Sequence, residues 1–324
     1  MNSPAPPVVI FEFMQDYATV PQPNCHYAPN PSRHGVPRPN LLGREAKIST
    51  AADHGKLSHA PFLATLILAI SACVQAQTAP APSVTELPNA PSPQPSSQED
   101  ATVHNLPRNF VRDQAAIWTS PKDLRVHDLK WLLPLSAATG VALGTDHYVM
   151  TQVVSTNPSF NQANINVSNA MVYSFVASPA VLYGFGRLQR NDHAREAGIL
   201  TAEAMVDGVV VEQGVKLITW QERPYQDNAK GKFFQSSAGI DSSFPSSHTL
   251  IAFSAASALA AEYPSRWTQL LLYTGAGGVG LARVLGQDHF PSDVLVGGAL
   301  GWLIGHNVVK RHRHHSLSEF VSRK

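Results

Sequence analysis

The chain has 324 residues, with 24 Lys and Arg against 23 Asp and Glu and a net charge of +1. This length allows one large domain or two ordinary ones. Proteins that bind nucleic acids normally carry a clear basic excess, so the near-neutral charge argues against that class. We therefore expect no nucleic-acid partner.

The first hundred residues lack the apolar periodicity of a folded domain. Residues 1–55 are rich in Pro, Asn and Ser, and residues 78–105 are rich in Pro and Ser. Such segments bury too little apolar surface to offset the entropy lost on folding. We predict a disordered extension over 1–55 and a linker over 78–105, which leaves 106–310 as the folded domain.

An apolar run over residues 62–72 lies between these two segments. Its length suits the hydrophobic region of a signal peptide and is too short for a membrane-spanning helix. Small residues at 74–76 form a cleavage site, and the residues up to Cys73 resemble a bacterial lipobox in which Cys73 would carry the lipid. Residues 56–77 are thus predicted to be a signal peptide or lipoprotein leader, which implies a location in the bacterial cell envelope.

From residue 106 onward the pattern is helical. Apolar segments rich in Ala, Leu, Val and Gly recur without the period-2 alternation that a half-buried sheet shows. They lie near 131–145, 171–186, 197–220, 249–261, 267–282 and 294–309. Both cysteines precede this region, so it contains no disulfide and no cysteine-based metal site. We predict an all-α bundle of about six core helices.

Two of these segments, 267–282 and 294–309, are uncharged throughout. Both are slightly shorter than the roughly 18–20 residues of a spanning helix, so length alone does not separate a soluble bundle from a membrane one. The basic tail over 311–324 suits the cytoplasmic side of a membrane, whereas a signal peptide would place residues 77–130 outside. We predict a membrane-embedded or membrane-associated domain, with a soluble periplasmic bundle as the alternative.

Glycines recur in the last two apolar segments. Residues 275–280 match G-x-G-x-x-G, the dinucleotide-binding fingerprint, which requires a preceding strand and an acidic residue about 20 positions later. Because the motif lies in a helical context here, we interpret these glycines as sites of close helix packing. The same interpretation applies to Gly297, Gly301 and Gly305, which are spaced by four residues.

The residues that suggest chemistry lie between 216 and 293. In chain order they are Lys216, Arg223-Pro224, Pro245-Ser246-Ser247-His248, Arg283, His289 and Asp293. Positioned cations and backbone N–H groups stabilise the peripheral oxygens of a phosphoryl group. Three residues, Lys216, Arg223 and Arg283, are the candidate cations. Further donors would be Ser246 and the amides around Ser247 at a helix N terminus.

His289 and Asp293 are four residues apart, so in a helix they share one face. The carboxylate can then hold one ring nitrogen of the imidazole, while the other nitrogen attacks phosphorus. His248 is the candidate acid that protonates the departing oxygen. Each residue alone has a plainer interpretation, as a helix cap, a solvated cation or a surface pair. Their ordered combination favours a phosphatase site.

These three blocks resemble the pattern K-x6-R-P, P-S-G-H and S-R-x5-H-x3-D of the type 2 phosphatidic acid phosphatase superfamily, which includes bacterial class A acid phosphatases and vanadium haloperoxidases. The resemblance covers about residues 200–310. It implies an all-α bundle, a phosphohistidine intermediate on His289, acid catalysis by His248 and no metal requirement. Ser247 stands where the family has Gly, and Ala282 stands where it has Ser. Neither departure removes a catalytic group.

The function implied is metal-independent hydrolysis of phosphate monoesters or pyrophosphates, with a phosphorylated lipid or a small phosphate ester as the substrate. Membrane association would favour a lipid substrate, and a soluble periplasmic bundle would favour small esters. Two alternatives remain open. A vanadium haloperoxidase would bind vanadate with the same residues and use His289 as its axial ligand, and an envelope scaffold protein would retain a relic site. We interpret the histidines of the tail, at 312–315, as solvated or membrane-flanking and predict no metal site.

Overall fold

The computed structural model describes residues 104–235 and 241–322, of which 313–322 are described by their backbone only. Over these ranges the chain forms seven α-helices and no strand. The helices are α1 (Leu106–Thr119), α2 (Leu129–Tyr148), α3 (Pro158–Gln189), α4 (Asp192–Thr219), α5 (Ser247–Glu262), α6 (Arg266–Leu285) and α7 (Pro291–Ser322). The predicted all-α bundle is confirmed, and α1 is a helix beyond the six predicted. The predictions for 1–55, for the leader with Cys73 and for nearly all of the linker lie outside the described residues.

Asparagine and proline mark where the main helices begin. The Asn157 side chain accepts hydrogen bonds from two first-turn N–H groups of α3, and Pro158 follows it. The Asn191 side chain accepts from the N–H of Ala194 at the start of α4. Both are ordinary helix caps. Pro291 begins α7, as its position after His289 and Phe290 predicts.

Helix α5 lies at the centre of the bundle, with α3, α4, α6 and α7 packed around it. Most of its residues are buried, and its alanines leave room for neighbouring helices on every side. Larger side chains fill the space between the helices, including Phe175 and Leu182 of α3 and Leu272 of α6. A second apolar cluster, with Leu200 and Ile304, joins α4 to α7.

The glycines of α7 set the contact between α5 and α7. A Cβ atom at Gly297 would lie 2.7 Å from the carbonyl oxygen of Ser246, and Cβ atoms at Gly301 and Gly305 would lie still closer to carbonyl oxygens of α5. The helix-packing interpretation is therefore confirmed. Residues 275–280 lie within α6 and not at a strand-to-helix turn, which agrees with the rejection of a dinucleotide site.

Large apolar side chains are exposed on every helix except α5. Those on α2, α6 and α7 include Leu129, Trp131, Leu133, Val141 and Leu143 on α2, Trp267, Leu270, Leu271 and Leu281 on α6, and Trp302 on α7. By length and composition alone, α3 is the one helix in the described ranges able to cross a membrane, and 44% of its most apolar window is buried in the protein. Core helices of soluble proteins share these properties, so membrane association stays a prediction.

Helix α7 continues past residue 310, where the sequence predicts a basic tail. Arg311 donates to Asp113 Oδ1 at 3.0 Å, and His312 Nε2 lies 3.2 Å from Asp113 Oδ2. The His312 side chain is only 9% exposed. The prediction of a solvated side chain is therefore wrong for His312, because the extension of α7 brings this residue against α1.

Candidate active site

The predicted site residues meet at one end of the bundle. Helices α4 and α6 end there, with Lys216 and Arg283 in their last turns. Helices α5 and α7 begin at the same end. All three predicted cations, including Arg223, act electrostatically on both His248 and His289. The fold thus brings the three sequence blocks together.

His289 is held by a carboxylate at one ring nitrogen. Asp293 Oδ2 lies 3.5 Å from His289 Nδ1. The same oxygen accepts hydrogen bonds from Ser243 Oγ at 2.5 Å and from the N–H of Phe290 at 2.8 Å. These donors fix Asp293, and Asp293 in turn orients the ring. The other ring nitrogen, Nε2, is left as the one that faces the cations.

Asp288, the residue before His289, lies between the two arginines. Arg223 Nη1 donates to Asp288 Oδ1 at 3.0 Å, and Arg283 Nη2 donates to Asp288 Oδ2. That Oδ2 lies 3.8 Å from His289 Nε2. A second carboxylate, Asp241, accepts from Arg223 Nη2 at 2.7 Å. The Asp288 carboxylate therefore marks an anion position bounded by two guanidinium groups and Nε2 of His289.

Lys216 is fully buried and already paired. Its Nζ lies 2.8 Å from Glu212 Oε1 and donates to Ser247 Oγ at 2.9 Å. Ser247 Oγ donates in turn to Glu212 Oε1 at 2.6 Å. The hydroxyl that replaces the family glycine thus completes a buried triangle with the lysine and the glutamate, which a glycine could not do.

His248 and Arg283 share one acceptor. His248 Nε2 and Arg283 Nη1 each lie 3.1 Å from Asn169 Oδ1 on α3. Since an amide oxygen accepts hydrogen bonds, this contact favours the proton on Nε2 of His248. Asn169 therefore positions the candidate acid beside a guanidinium group.

The Ser246 hydroxyl is not placed as the predicted phosphate donor. It occupies the N-cap position of α5, but its side chain caps no backbone N–H. Its Oγ lies 3.0 Å from Thr249 Oγ1, and its N–H donates to the carbonyl oxygen of Asp293. The hydroxyl is fully buried in these contacts. The amides of the first turn of α5 are therefore the donors that this helix end offers to an anion.

Burial and nearby cations control the titration of both histidines. Burial and Arg223 lower the pKa of His289 well below its ordinary value. Burial and Arg283 lower the pKa of His248 in the same way. Both rings are neutral at neutral pH without a bound anion, which is the nucleophilic state of His289.

The two carboxyls beside His289 shift in opposite directions. Burial raises the pKa of Asp293 to about 7, against the hydrogen bonds from Ser243 and Phe290. Burial also disfavours ionisation of Asp288, but Arg283 and its neighbouring arginine outweigh it and hold the pKa of Asp288 well below its usual range. Asp288 is thus the permanent anion of the site, and Asp293 is the one that titrates.

The polar residues of the site that were not predicted from the sequence include Asp288, Glu212, Ser243 and Asn169. Glu212 precedes Lys216 by four residues, a helical spacing that could have indicated the pair. Asp288 adjoins the predicted nucleophile, but adjacency does not show where a side chain points. Ser243 and Asn169 gave no signal, because their contacts with the histidines span 46 and 79 residues.

The fold and site define an all-α protein in which a buried histidine, His289, and a partly buried one, His248, face a cationic anion site. The family model of the PAP2 superfamily matches residues 197–315, which contain every predicted catalytic and phosphate-binding residue. Over this range the chain is therefore similar to the PAP2 superfamily, as the sequence resemblance indicates.

One curated relative is the lipid A 1-phosphatase of Porphyromonas gingivalis. It is 43% identical over 65 residues, which are 19% of this chain and 15% of the length of that relative. No solved structure matches the chain significantly. The comparisons therefore bear on the region around the site and not on the whole chain.

Proposed function

We propose that this protein is a phosphatase that hydrolyses phosphorylated lipids in the bacterial cell envelope, through a phosphohistidine on His289. One observation carries the proposal. The Asp288 carboxylate lies between Arg223 and Arg283, with one oxygen 3.8 Å from His289 Nε2. A phosphoryl group bound in place of that carboxylate would present its phosphorus to Nε2 and its oxygens to the two guanidinium groups.

In the first step, His289 Nε2 attacks phosphorus and forms a P–N bond as the bond from phosphorus to the leaving oxygen breaks. Asp293 accepts the Nδ1 proton of the ring in a hydrogen bond and stabilises the positive charge that develops there. His248 gives its proton to the leaving oxygen. Although burial lowers the pKa of His248, a phosphate dianion beside it favours the protonated form.

In the second step, water attacks phosphorus and the P–N bond breaks. His248, now neutral, takes a proton from that water. The products are inorganic phosphate, a neutral His289 and a protonated His248, which is the protonation state in which the first step began; His248 loses its proton to solvent when phosphate leaves. No metal ion or other cofactor enters this scheme, because His289 supplies the nucleophile and the arginines balance the phosphoryl charge.

Two features support a lipid substrate and membrane association. Exposed apolar side chains on α2, α6 and α7 form a surface that suits lipid contact. A groove of about 370 Å³ lies between α2, α5, α6 and α7 and is lined almost entirely by apolar groups, including Trp131, Phe253 and Trp302. Val294, the residue after Asp293, also lines it. An acyl chain in this groove would lie beside the catalytic pair, and the name of the lipid A 1-phosphatase relative fits such a substrate.

The envelope location rests on the predicted leader over residues 56–77, which would place the active site outside the cytoplasm. A simple fractionation tests it. We expect the protein to remain with the membranes after osmotic shock and to enter solution with detergent. Complete release by osmotic shock would argue for a soluble periplasmic phosphatase of small esters.

The phosphatase proposal is tested with His289→Ala on p-nitrophenyl phosphate and on a lipid phosphate. Turnover of both should fall on the order of 10³-fold or more, because the nucleophile is lost. His127→Ala is the matched control, since His127 is exposed and far from these contacts. Unchanged turnover in His289→Ala would overturn the phosphohistidine mechanism. Activity that depends on added vanadate, peroxide and halide would favour a haloperoxidase instead.

A further inference from the structure

Three side chains of metal-ligating type meet beside the middle of α4. Asp113 comes from α1, Glu203 from α4 and His312 from α7, and one ligand atom of each lies within 4.8 Å of the others. Asp113 and Glu203 are both 3% exposed. Glu203 precedes Lys216 by 13 residues on α4, a rise of about 20 Å along the helix axis. The cluster is therefore separate from the active site.

The Glu203 carboxylate of this cluster and its neighbour Asp207 lack hydrogen bonds that buried charges normally have. Neither oxygen of Glu203 has a hydrogen bond of normal geometry within the described residues. Asp207, one turn later on α4, is fully buried, with one oxygen bonded to Gln114 and the other without a partner. Unpaired buried charges are costly, and proteins usually pair them or use them to coordinate a metal ion.

The charges around the cluster do not balance. Asp113 receives a hydrogen bond from Arg311, whose side chain is 46% exposed, and lies near His312. The buried carboxylates of Asp113, Glu203 and Asp207 thus lie together with one half-exposed guanidinium group and one imidazole. One further positive charge at this position would balance them.

The spacing of the ligand atoms matches a small ion. Ligands at about 2.1 Å from one tetrahedral ion lie about 3.4 Å from one another. His312 Nε2 is 3.2 Å from Asp113 Oδ2 and 3.6 Å from Glu203 Oε2. An imidazole with two carboxylates suits zinc and similar first-row metals, whereas magnesium and calcium prefer oxygen ligands alone.

We propose that Asp113, Glu203 and His312 bind one divalent cation of the zinc class, which fastens α1 and α7 to α4. Each helix gives one ligand atom, and water completes the coordination. The ion takes no part in phosphate chemistry, because the cluster is remote from His289. The inference is independent of the proposed phosphatase activity and revises the sequence prediction that the chain has no metal site.

The test uses the full chain after treatment with a chelator, followed by addition of Zn²⁺ or Co²⁺. We expect one tightly bound ion per chain and, with Co²⁺, the visible absorption of a low-symmetry site. A Zn²⁺ concentration a hundredfold above its Kd should raise Tm by roughly 5–10 °C. His312→Asn and Glu203→Gln should each abolish this shift and the stoichiometric binding.

Two control variants separate this site from other histidines. His306→Asn changes an exposed histidine of α7 that stacks on Trp302, and it should bind zinc like the unaltered protein. The double variant His314→Asn/His315→Asn should also bind normally. Loss of binding in that double variant, or retention in His312→Asn, would overturn the proposal in favour of adventitious binding by the tail.

Absence of stoichiometric binding by the unaltered chain would overturn the proposal as well. Circular dichroism of each variant distinguishes loss of the ligand from loss of the fold. If Glu203→Gln does not fold, His312→Asn and the Tm of the unaltered protein with and without zinc still decide the question. Phosphatase assays are not needed for any of these readouts.

Discussion

The C-terminal end and the middle of α4 hold buried charge in opposite ways. At the C-terminal end, beside the active site, each buried cation has a carboxylate partner, with Lys216 on Glu212 and both arginines on Asp288. In the middle of the helix Glu203 and Asp207 are buried with oxygens that have no hydrogen-bond partner. The balanced end is preorganised for an anion that exchanges with Asp288, and the unbalanced middle is suited to a cation. The same helix thus supports two kinds of site because its neighbours differ.

Asp293→Asn should affect the active site alone and most strongly. It removes the carboxylate beside His289 Nδ1, and the ring can then adopt the wrong tautomer. By analogy with other histidine–aspartate pairs, kcat should fall on the order of 10³–10⁴-fold, while zinc binding beside the middle of α4 stays unchanged. Steady-state assays and a zinc titration of the same preparation measure both. A kcat near that of the unaltered protein would show that Asp293 does not orient the nucleophile.

The same substitution at the C-terminal end and in the middle of α4 should have opposite effects on stability. Glu212→Gln leaves Lys216 buried without its counter-charge and should lower the free energy of unfolding by about 3–5 kcal/mol. In chelator-treated protein at pH 8, Glu203→Gln should raise it by about 1–3 kcal/mol. The reason is that the folded state there must ionise a carboxyl whose pKa burial raises to about 7, and the unfolded state ionises it easily.

Denaturant unfolding of both variants measures these changes. Asp192→Asn on the same helix is the control, because its ion pair with Arg195 is exposed and should contribute less than about 1 kcal/mol. Equal destabilisation by Glu212→Gln and Glu203→Gln would show that buried charge is not held differently at the C-terminal end and in the middle of α4.

Asp288→Asn tests whether the Asp288 carboxylate occupies the position where phosphate would bind. Without the carboxylate, Arg223 and Arg283 no longer have an internal anion that competes with phosphate. Inorganic phosphate should then inhibit p-nitrophenyl phosphate hydrolysis at about tenfold lower concentration. This change corresponds to the free energy of about one charged hydrogen bond. Asp241→Asn is the control, since that side chain is 52% exposed and lies on the outer side of Arg223. Weaker inhibition in Asp288→Asn would mean that the carboxylate supports the anion site rather than occupies it.

The smallest expected effect concerns pH. The pKa of Asp293 is raised to about 7, so below pH 7 the carboxyl is protonated and ceases to accept the Nδ1 proton of His289 in a hydrogen bond. The value of kcat/KM should therefore rise with pH through about 7. Ser243→Ala removes a hydrogen bond that lowers this pKa, so the rise should move to higher pH, by about one unit or less. A shift to lower pH, or none, would show that another group controls the rise.

The sequence predicts where the helices lie more accurately than the residues at which they begin and end. All six predicted apolar segments lie in helices, because packing against a core imposes a local apolar pattern. Helix α3 nevertheless begins at Pro158 and not near residue 171, since its first turns are polar and Asn157 provides the cap. Short α1 was missed, because its polar sequence has no sustained apolar run.

The all-α class, the three phosphate-binding blocks and the pairing of His289 with Asp293 follow from the amino-acid sequence, because helical spacing places residues four apart on one face. Which neighbours balance the buried charges depends on the packing of the helices. This packing placed Asp288 between two arginines and brought His312 to Asp113, across 199 residues of chain. Contacts over such distances leave no local pattern, since they depend on how the helices pack against one another.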